Sequence, residues 1–356
     1  MSSILSRYVI RAVIGTTLLV MLVLLALSGL YLFITEQDDI GTGTYALEHA
    51  LLFVGLNLPK YAFDMLPIAA LIGALLALGN LARSMELIVV RASGVSVARI
   101  AMWVAGAGVI LMVLTGVLGE LVAPQMEQYG RRMKTFEKFR DYSLAGNRSA
   151  WAKDGNTIVS VGRQSDDNRY GGVYVFNFDA QHRLRSVGRA SSASIDPNDV
   201  WRLENYRESH FEEERVVASG PATAQVRTRL SAEFLGLAVL DPESLPGLGL
   251  LSYIRHLKAN DLDARAYETA FWARIARTAA VAIIVVLAVP FAFGPMRSTG
   301  TGARTVVGIM IGVVFFLLAK MMESGGAVFD MPPIAIAWLP TALLALITGI
   351  AVSRVR

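Results

Sequence analysis

The sequence predicts an α-helical polytopic membrane protein of six spans with an inserted all-β, jellyroll-like domain. Three observations carry that reading. Six long apolar runs cross the chain, one polar insert of about 140 residues separates the third run from the fourth, and the short loops on one side alone are basic. A bilayer core of about 30 Å needs about 20 apolar residues at the helical rise, so most of these runs can span alone.

Taken in order, the first run extends from Ala12 to Ile34 without a charged side chain, and the others are Met65–Ala82, Ala101–Gly119, Thr278–Met296, Thr305–Ala319 and Met331–Ser353. The fifth is short, and the stem of Lys320 with Met321 and Met322 completes it while the ammonium snorkels. The first run is too long for a signal-peptide core, and no small-residue cleavage site follows Ile34, so it is expected to stay as a span.

Orientation follows from the short loops. One side collects Arg7, Arg11, Arg83, Arg91, Arg99, Arg297, Arg304, Arg354 and Arg356. The two short loops of the other side hold Glu36, Asp38, Asp39, Glu48 and Asp330, with no Lys or Arg. Both termini are therefore expected in the cytoplasm and the insert across the membrane; long translocated domains escape this rule, so the insert's own arginines do not conflict with it. The net charge of +4 over 356 residues is largely this collar and points to no nucleic acid. Cysteine is absent, so the exported domain must hold by its core without disulfides.

The insert reads as β-structure. Asn156–Val161, Gly172–Phe178, Leu184–Ile195 and Val200–Tyr206 are rich in β-branched and aromatic residues, with weaker strands at Arg215–Ala218 and Ala224–Leu230. Turn signals at Asp154-Gly155, Asp179-Ala180-Gln181 and Asp196-Pro197-Asn198-Asp199 separate them. In the run after Asp199, Trp201 and Leu203 should face one side and Arg202 and Glu204 the other. The absence of helical crossovers argues against a parallel sheet and for a sandwich or jelly roll.

Two flanking segments read as helices. Pro124–Tyr142 carries the third span outward, and Arg131, Lys134 and Lys138 fall at i, i+3 and i+7 on one face. Interleaved Glu127, Glu137 and Asp141 leave open a solvated face with local ion pairs. Leu245–Asn260 is amphipathic and returns the chain to the fourth span, whose start carries Trp272, Arg274 and Arg277 as interface anchors. Charges deeper in the bilayer are costly. Lys60 with Asp64, and Lys320 with Glu323, fall at pairing distances along a helix; they either pair or line a wet lateral cavity that receives a charged amphiphile.

The loop between spans two and three, Ala82-Arg83-Ser84-Met85-Glu86-Leu87-Ile88-Val89-Val90-Arg91-Ala92-Ser93-Gly94, is the most distinctive local feature. Ser84 can cap a short helix, Glu86 suits its first turn and Gly94 can end it. Leu87, Ile88, Val89 and Val90 are too apolar for an idle loop. Either a cytosolic partner covers them or the helix lies in the headgroup layer.

These residues resemble the LptF/LptG family, permease subunits of the lipopolysaccharide export ABC transporter of Gram-negative bacteria, nearest its LptG branch. The resemblance covers essentially the whole chain: the loop motif at Glu86–Gly94, Glu120-x-x-Ala123-Pro124-Gln125 after the third span, Trp151-Ala152-Lys153-Asp154-Gly155-Asn156 opening the insert, and Phe293-Gly294-Pro295-Met296-Arg297-Ser298 after the fourth span. It implies an inner-membrane protein with a periplasmic β-jellyroll. Residues 1–140 would then hold spans one to three with a coupling helix at 84–93, residues 141–240 the β-domain, and residues 241–356 the returning helix and spans four to six. It also implies a heterodimer with an LptF-like permease, two copies of an LptB-like ATPase that uses ATP and Mg, and an LptC-like β-domain protein.

In the family's pattern Glu86, Leu87, Ser93 and Gly94 couple to the ATPase. Arg131 and Lys134 match basic positions that contact the phosphorylated lipid, with Lys138, Arg274 and Arg277 as reinforcing cations. One departure stands out: family members can carry lysines at the outer end of span one, where this chain has Thr35, Glu36, Asp38 and Asp39.

Enzyme motifs fail on inspection. No G-x-x-x-x-G-K-[ST] loop occurs. Gly41-Thr42-Gly43-Thr44-Tyr45-Ala46 imitates a dinucleotide fingerprint in the wrong context, and Gly94-Val95-Ser96-Val97-Ala98 lacks the strand–turn–helix of a nucleophile elbow. His49, His182, His210 and His256 have no metal-ligand spacing. No catalytic residue and no bound cofactor or metal are therefore expected in this chain. Two other classes stay open on the residues alone: a secondary transporter of an amphiphile, which would need internal repeats and broken helices, and a non-transporting scaffold that displays a β-domain.

Overall fold

The computed structural model describes residues 2–139, 150–165, 169–179, 181, 183–195, 200–212, 215–220, 222–227, 242–293, 301–325 and 331–354. The chain divides into two compact units, one of Met1–Glu36, Val54–Glu127 and Arg265–Arg356, the other of Gln37–Phe53 and Gln128–Ala264.

Among the described residues, six helices are long and apolar enough to cross a membrane. In hydrocarbon every backbone N–H and C=O must pair within its own segment, and the helix is the local way to do so. Helix α1 is Ser2–Glu36 and α2 is Leu47–Arg83. The short α3, Glu86–Ala92, follows. The third span is α4, Val97–Val117, then a π turn at Leu118–Val122, then α5, Ala123–Phe139. Helix α6 is Gly247–Ala259, and spans four to six are α7 (Arg265–Phe293), α8 (Thr301–Gly325) and α9 (Pro333–Ser353).

Helix α2 begins well before the expected Met65. Pro59, Lys60 and Asp64 interrupt the apolar run in sequence, yet Pro59 and Pro67 both lie inside the helix. Its apolar window is 67% buried, the highest share among the six spans, and Ala69, Ala70, Leu71, Ala74 and Leu78 are wholly enclosed. They join Ile100, Val104 and Ala107 of α4 and Ala280, Val281, Ile284, Val285 and Ala288 of α7 in one core. Small residues let backbones approach where lipid supplies no hydrophobic drive between helices. In contrast, 22% of the window of α1 and 17% of that of α8 are buried, and Leu19, Leu22 and Leu27 of α1 stand exposed.

The second unit carries one antiparallel sheet. Its strands are β1 (Ala150–Asp154), β2 (Thr157–Ser165), β3 (Arg169–Phe178), β4 (Leu184–Ile195), β5 (Val200–Phe211), β6 (Val216–Ala218) and β7 (Ala222–Arg227). β1 to β6 pair in chain order, and β7 pairs with β5. The described part of the insert is thus β-structured and antiparallel as expected, and each of the first six strands neighbours the next.

The β4 bounds match the expectation, and β5 runs on past Tyr206 to Phe211. Trp201 and Leu203 are buried while Arg202 and Glu204 are exposed, which is the expected alternation. Val159, Val161, Val173, Val175 and Ala190 share the inner face, and Tyr170 stacks on Trp201 with ring centroids 5.7 Å apart. The Trp151 motif forms the first strand, and its Asp154-Gly155 signal is a tight turn that pairs Asp154 with Thr157. Asp179 closes the β3–β4 turn by accepting from the backbone N–H groups of Gln181 and Arg183. The Asp196–Asp199 turn signal and the last three residues of the expected Ala224–Leu230 strand lie outside the described residues. Helix α6 buries Leu250, Tyr253, Ile254 and Leu257 on one side, and its Asn260 accepts from the Gly155 N–H at 2.7 Å.

Candidate functional site

Charge is where this chain departs from simple apolar packing, and the described residues gather it at three places. The first lies within the membrane unit. Arg277 of α7 donates through Nη1 to Asp64 and through Nη2 to Glu323, both at 2.7 Å. Lys320 stands 3.9 Å from the same Glu323. Arg274, one turn earlier, lies 3.1 Å from Glu120 and donates to the Gly119 carbonyl at 3.1 Å. Both guanidinium groups lie over the ring of Phe63, at 5.5 and 5.6 Å. Gly119 makes room for this, because a Cβ there would collide with the Phe63 ring. The π turn around Glu120 is the wider helical turn that often marks functional positions.

Two sequence expectations change here. Lys60 and Asp64, read in sequence either as a pair or as lining a wet cavity, take different partners: Lys60 bonds Glu127 at 2.6 Å, and Asp64 bonds Arg277. The reason is tertiary: each of these half-buried charges takes the partner that packing brings beside it rather than the nearest in sequence. Lys320 and Glu323 do approach one another. Arg274 and Arg277, expected as lipid-contacting cations, are engaged by carboxylates of the same chain.

The second place lies in the other unit. Asp39 divides its two carboxylate oxygens between Lys134, at 2.8 Å, and Lys138, at 2.6 Å. The i, i+4 spacing on α5 puts both ammonium groups on one face, as expected, and Lys134 also sits 4.8 Å from the Phe53 ring centroid. Glu137, next to Lys138, accepts from the Thr44 hydroxyl at 2.6 Å and lies 3.8 Å from His49. Arg131, the third cation of the stripe, donates to Ser244 at 3.3 Å. The acidic segment after the first span, read in sequence as a departure from the family pattern, is thus the direct partner of two expected lipid-binding lysines. Lysines facing an acidic segment on the same side of the membrane were the available signal for this contact.

The third place is the loop helix. The Tyr8 hydroxyl donates to Glu86 Oε2 at 2.8 Å, and Ser84 donates to Oε1 at 2.8 Å. These bonds, Tyr8 first, hold the Glu86 carboxyl below its ordinary range. Ser84 therefore is not the cap of α3. Met85 holds that position in a left-handed conformation, and Ser84 is spent on Glu86 and on the Leu81 carbonyl. Gly94 does end the helix, with φ of +88° and its N–H on the Arg91 carbonyl, a conformation glycine adopts freely. Ser93 returns its hydroxyl to the Val90 carbonyl. Leu87 is 2% exposed and belongs to the core, so it cannot be part of an exposed apolar face; Met85 and Val89, at 61% and 67%, form that face with Ile88.

Among the described residues no cluster of His, Cys, Asp and Glu could hold a metal ion. A recess of about 300 Å³ between α1, α2 and α4 is lined by Leu18, Met21, Leu58, Ala62 and Leu114, with Thr17 also on its wall.

A family model described as "Lipopolysaccharide export system permease LptF/LptG" matches residues 7–354. The chain is 35% identical over 347 residues to the lipopolysaccharide export system permease protein LptG of Escherichia coli (strain K12), covering 97% of this chain and 96% of that protein. It is 32% identical over 353 residues to the protein of the same name from Haemophilus influenzae, with 99% of each chain covered.

Proposed function

The chain belongs to the LptF/LptG family of lipopolysaccharide export permeases, and we propose that within it the chain is an LptG-type subunit, a membrane half that turns a partner's ATP hydrolysis into extraction of lipopolysaccharide. The observation that carries this reading is the match over nearly the full length of both the chain and relatives named for that activity. The six spans and the antiparallel β-insert agree with it.

In this reading the protein lies in the inner membrane, with both termini cytoplasmic and the insert periplasmic. The sparsely buried α1 and α8 face an LptF-like partner permease and the lipid between the two. The exposed Met85, Ile88 and Val89 of α3 seat in one of two LptB-like ATPases, which bind ATP and Mg, and Leu87 anchors the helix from behind. Arg131, Lys134 and Lys138 supply cations for the headgroup. The inner face of the β-sheet receives acyl chains and leads toward an LptC-like β-domain. No group of this chain is given a catalytic role.

The test is co-purification of the tagged full chain from membranes, followed by lipid release. A soluble ATPase and a second permease should come with it, and ATP should release bound lipopolysaccharide. A chain that purifies alone and carries no lipid would sink the reading.

A further inference from the structure

We propose that the outer face of the β-sheet binds an acidic saccharide, through an aromatic platform of Trp151, Phe176 and Tyr174 and the paired arginines Arg189 and Arg207. The inference deepens the reading of the chain as a lipopolysaccharide permease, and rests on it for the identity of the glycolipid.

The strand register assembles the site. Trp151 of β1 stands opposite Ser160 of β2, Ser160 opposite Tyr174 of β3, Tyr174 opposite Arg189 of β4, and Arg189 opposite Arg207 of β5. Directly opposite residues share one face of a sheet, so this row runs across one side of it. Phe176, two residues beyond Tyr174, lies on the same side and stacks with both neighbours. Its ring centroid is 5.6 Å from that of Trp151 and 6.4 Å from that of Tyr174, each pair inclined by 23°. Trp151 is 58% exposed and Tyr174 36%, while Val159, Val173 and Val175 are buried on the other face.

Charge is what points to a ligand. Like charges directly opposite each other weaken a sheet. Arg189 and Arg207 are such a pair, both exposed, and neither guanidinium has a hydrogen bond or ion pair among the described residues. Arg189 lies over the Tyr174 ring, 5.7 Å from its centroid. Elsewhere in this unit Arg183 has Asp179 and Arg215 has Glu212, whereas the row from Trp151 to Arg207 contains no carboxylate. An anion held between the two arginines removes their repulsion, and the guanidinium fork suits a carboxylate or a phosphate. The rings narrow the choice. A pyranose turns a flat face of weakly positive C–H groups outward, and that face meets the negative face of an aromatic ring. A bare anion leaves the rings unused, and an acyl chain leaves the arginines unpaired; an acidic saccharide uses both. Among the described strands β1 has β2 as its one neighbour, so a glycolipid with acyl chains on the inner face brings its saccharide to Trp151 round that edge.

The experiment uses the full chain in its purified membrane complex, reconstituted in nanodiscs, with Trp151→Ala, Trp151→Tyr and the Arg189→Gln, Arg207→Gln double variant. Each is titrated with the acidic oligosaccharide freed from lipopolysaccharide by removal of its lipid, and with polyglutamate as an acidic polymer without sugar. Retained lipopolysaccharide and the thermal transition are measured alongside. The double arginine variant should bind the oligosaccharide about five-fold more weakly, the upper range for exposed charge pairs. Trp151→Ala should weaken it by about three- to ten-fold, the range for one aromatic contact. Trp151→Tyr should keep most of the affinity, which separates loss of the platform from a folding defect.

Oligosaccharide affinity unchanged in either Trp151→Ala or the double arginine variant overturns the inference; lipopolysaccharide still retained by the complex then leaves the permease reading standing. Polyglutamate bound as tightly as the oligosaccharide also overturns it, in favour of a docking face for an acidic protein. A complex that binds the oligosaccharide with the expected losses but retains no lipopolysaccharide keeps this face as a saccharide site and removes the permease reading.

Discussion

Arg277 shows how one side chain can decide the fate of two others. It is 18% exposed and holds Asp64 and Glu323, so removing it takes the one guanidinium that bridges two carboxylates of the membrane unit. Breaking a buried pair by deleting one partner costs about 3–5 kcal/mol, more than the pair contributes over an apolar replacement. Arg277→Met should therefore lower the thermal transition of the purified chain markedly, and Arg277→Lys should recover only part, because an ammonium cannot fork to two acceptors as a guanidinium does. A transition unchanged in Arg277→Met would mean the network adds nothing to stability. The sequence singled out Arg277 as an interface anchor and reinforcing cation but not its partners, since Asp64 lies 213 residues away along the chain.

At the scale of one element, α3 divides its four apolar residues between two tasks. Leu87 points into the core while Ile88 and Val89 remain outside. Leu87→Ala should cost about 2–5 kcal/mol as a cavity substitution and should show as lost thermal stability of the isolated chain. Val89→Asp should leave that stability within about 0.5 kcal/mol, as surface changes do, yet reduce the amount of ATPase that co-purifies. Equal stability in the two variants would contradict the division. The E-L-x-V pattern marked the helix and its end at Gly94, but a helix of 7 residues is too short for its pattern to say which apolar residue faces inward. The strands were more legible: β4 was bounded correctly because alternation over 12 residues fixes a face, and β5 was read short because the polar run Arg207-Glu208-Ser209-His210 after Tyr206 carries no apolar alternation.

For the whole molecule, the spans differ most in how much apolar surface they leave uncovered. Leu22 of α1 is 69% exposed and Leu317 of α8 is 52% exposed, whereas Leu78 of α2 is wholly buried. Surfaces of that kind face lipid or a second membrane protein. The chain has no cysteine, so single replacements give a clean probe. Leu22→Cys and Leu317→Cys should cross-link to the partner permease in native membranes, and Leu78→Cys should not. Labelling of both exposed positions by lipid-soluble reagents alone, with no protein adduct, would remove these helices from the subunit interface.

The sequence by itself determined the six spans, the one-sided collar of arginine, the β-character of the insert and the helix in the loop after α2. All of these follow from composition or period within some 20 residues, and such local properties need no partner to be read. Only the tertiary structure decided where the charges go. It kept Pro59, Lys60 and Asp64 inside α2, sent Lys60 to Glu127 and Asp64 to Arg277, turned Leu87 into the core, and joined Lys138 to an aspartate 99 residues away. The physical reason is that a charge or an apolar side chain removed from water is satisfied by whatever packing brings beside it, and that neighbour is set by the fold rather than by position along the chain.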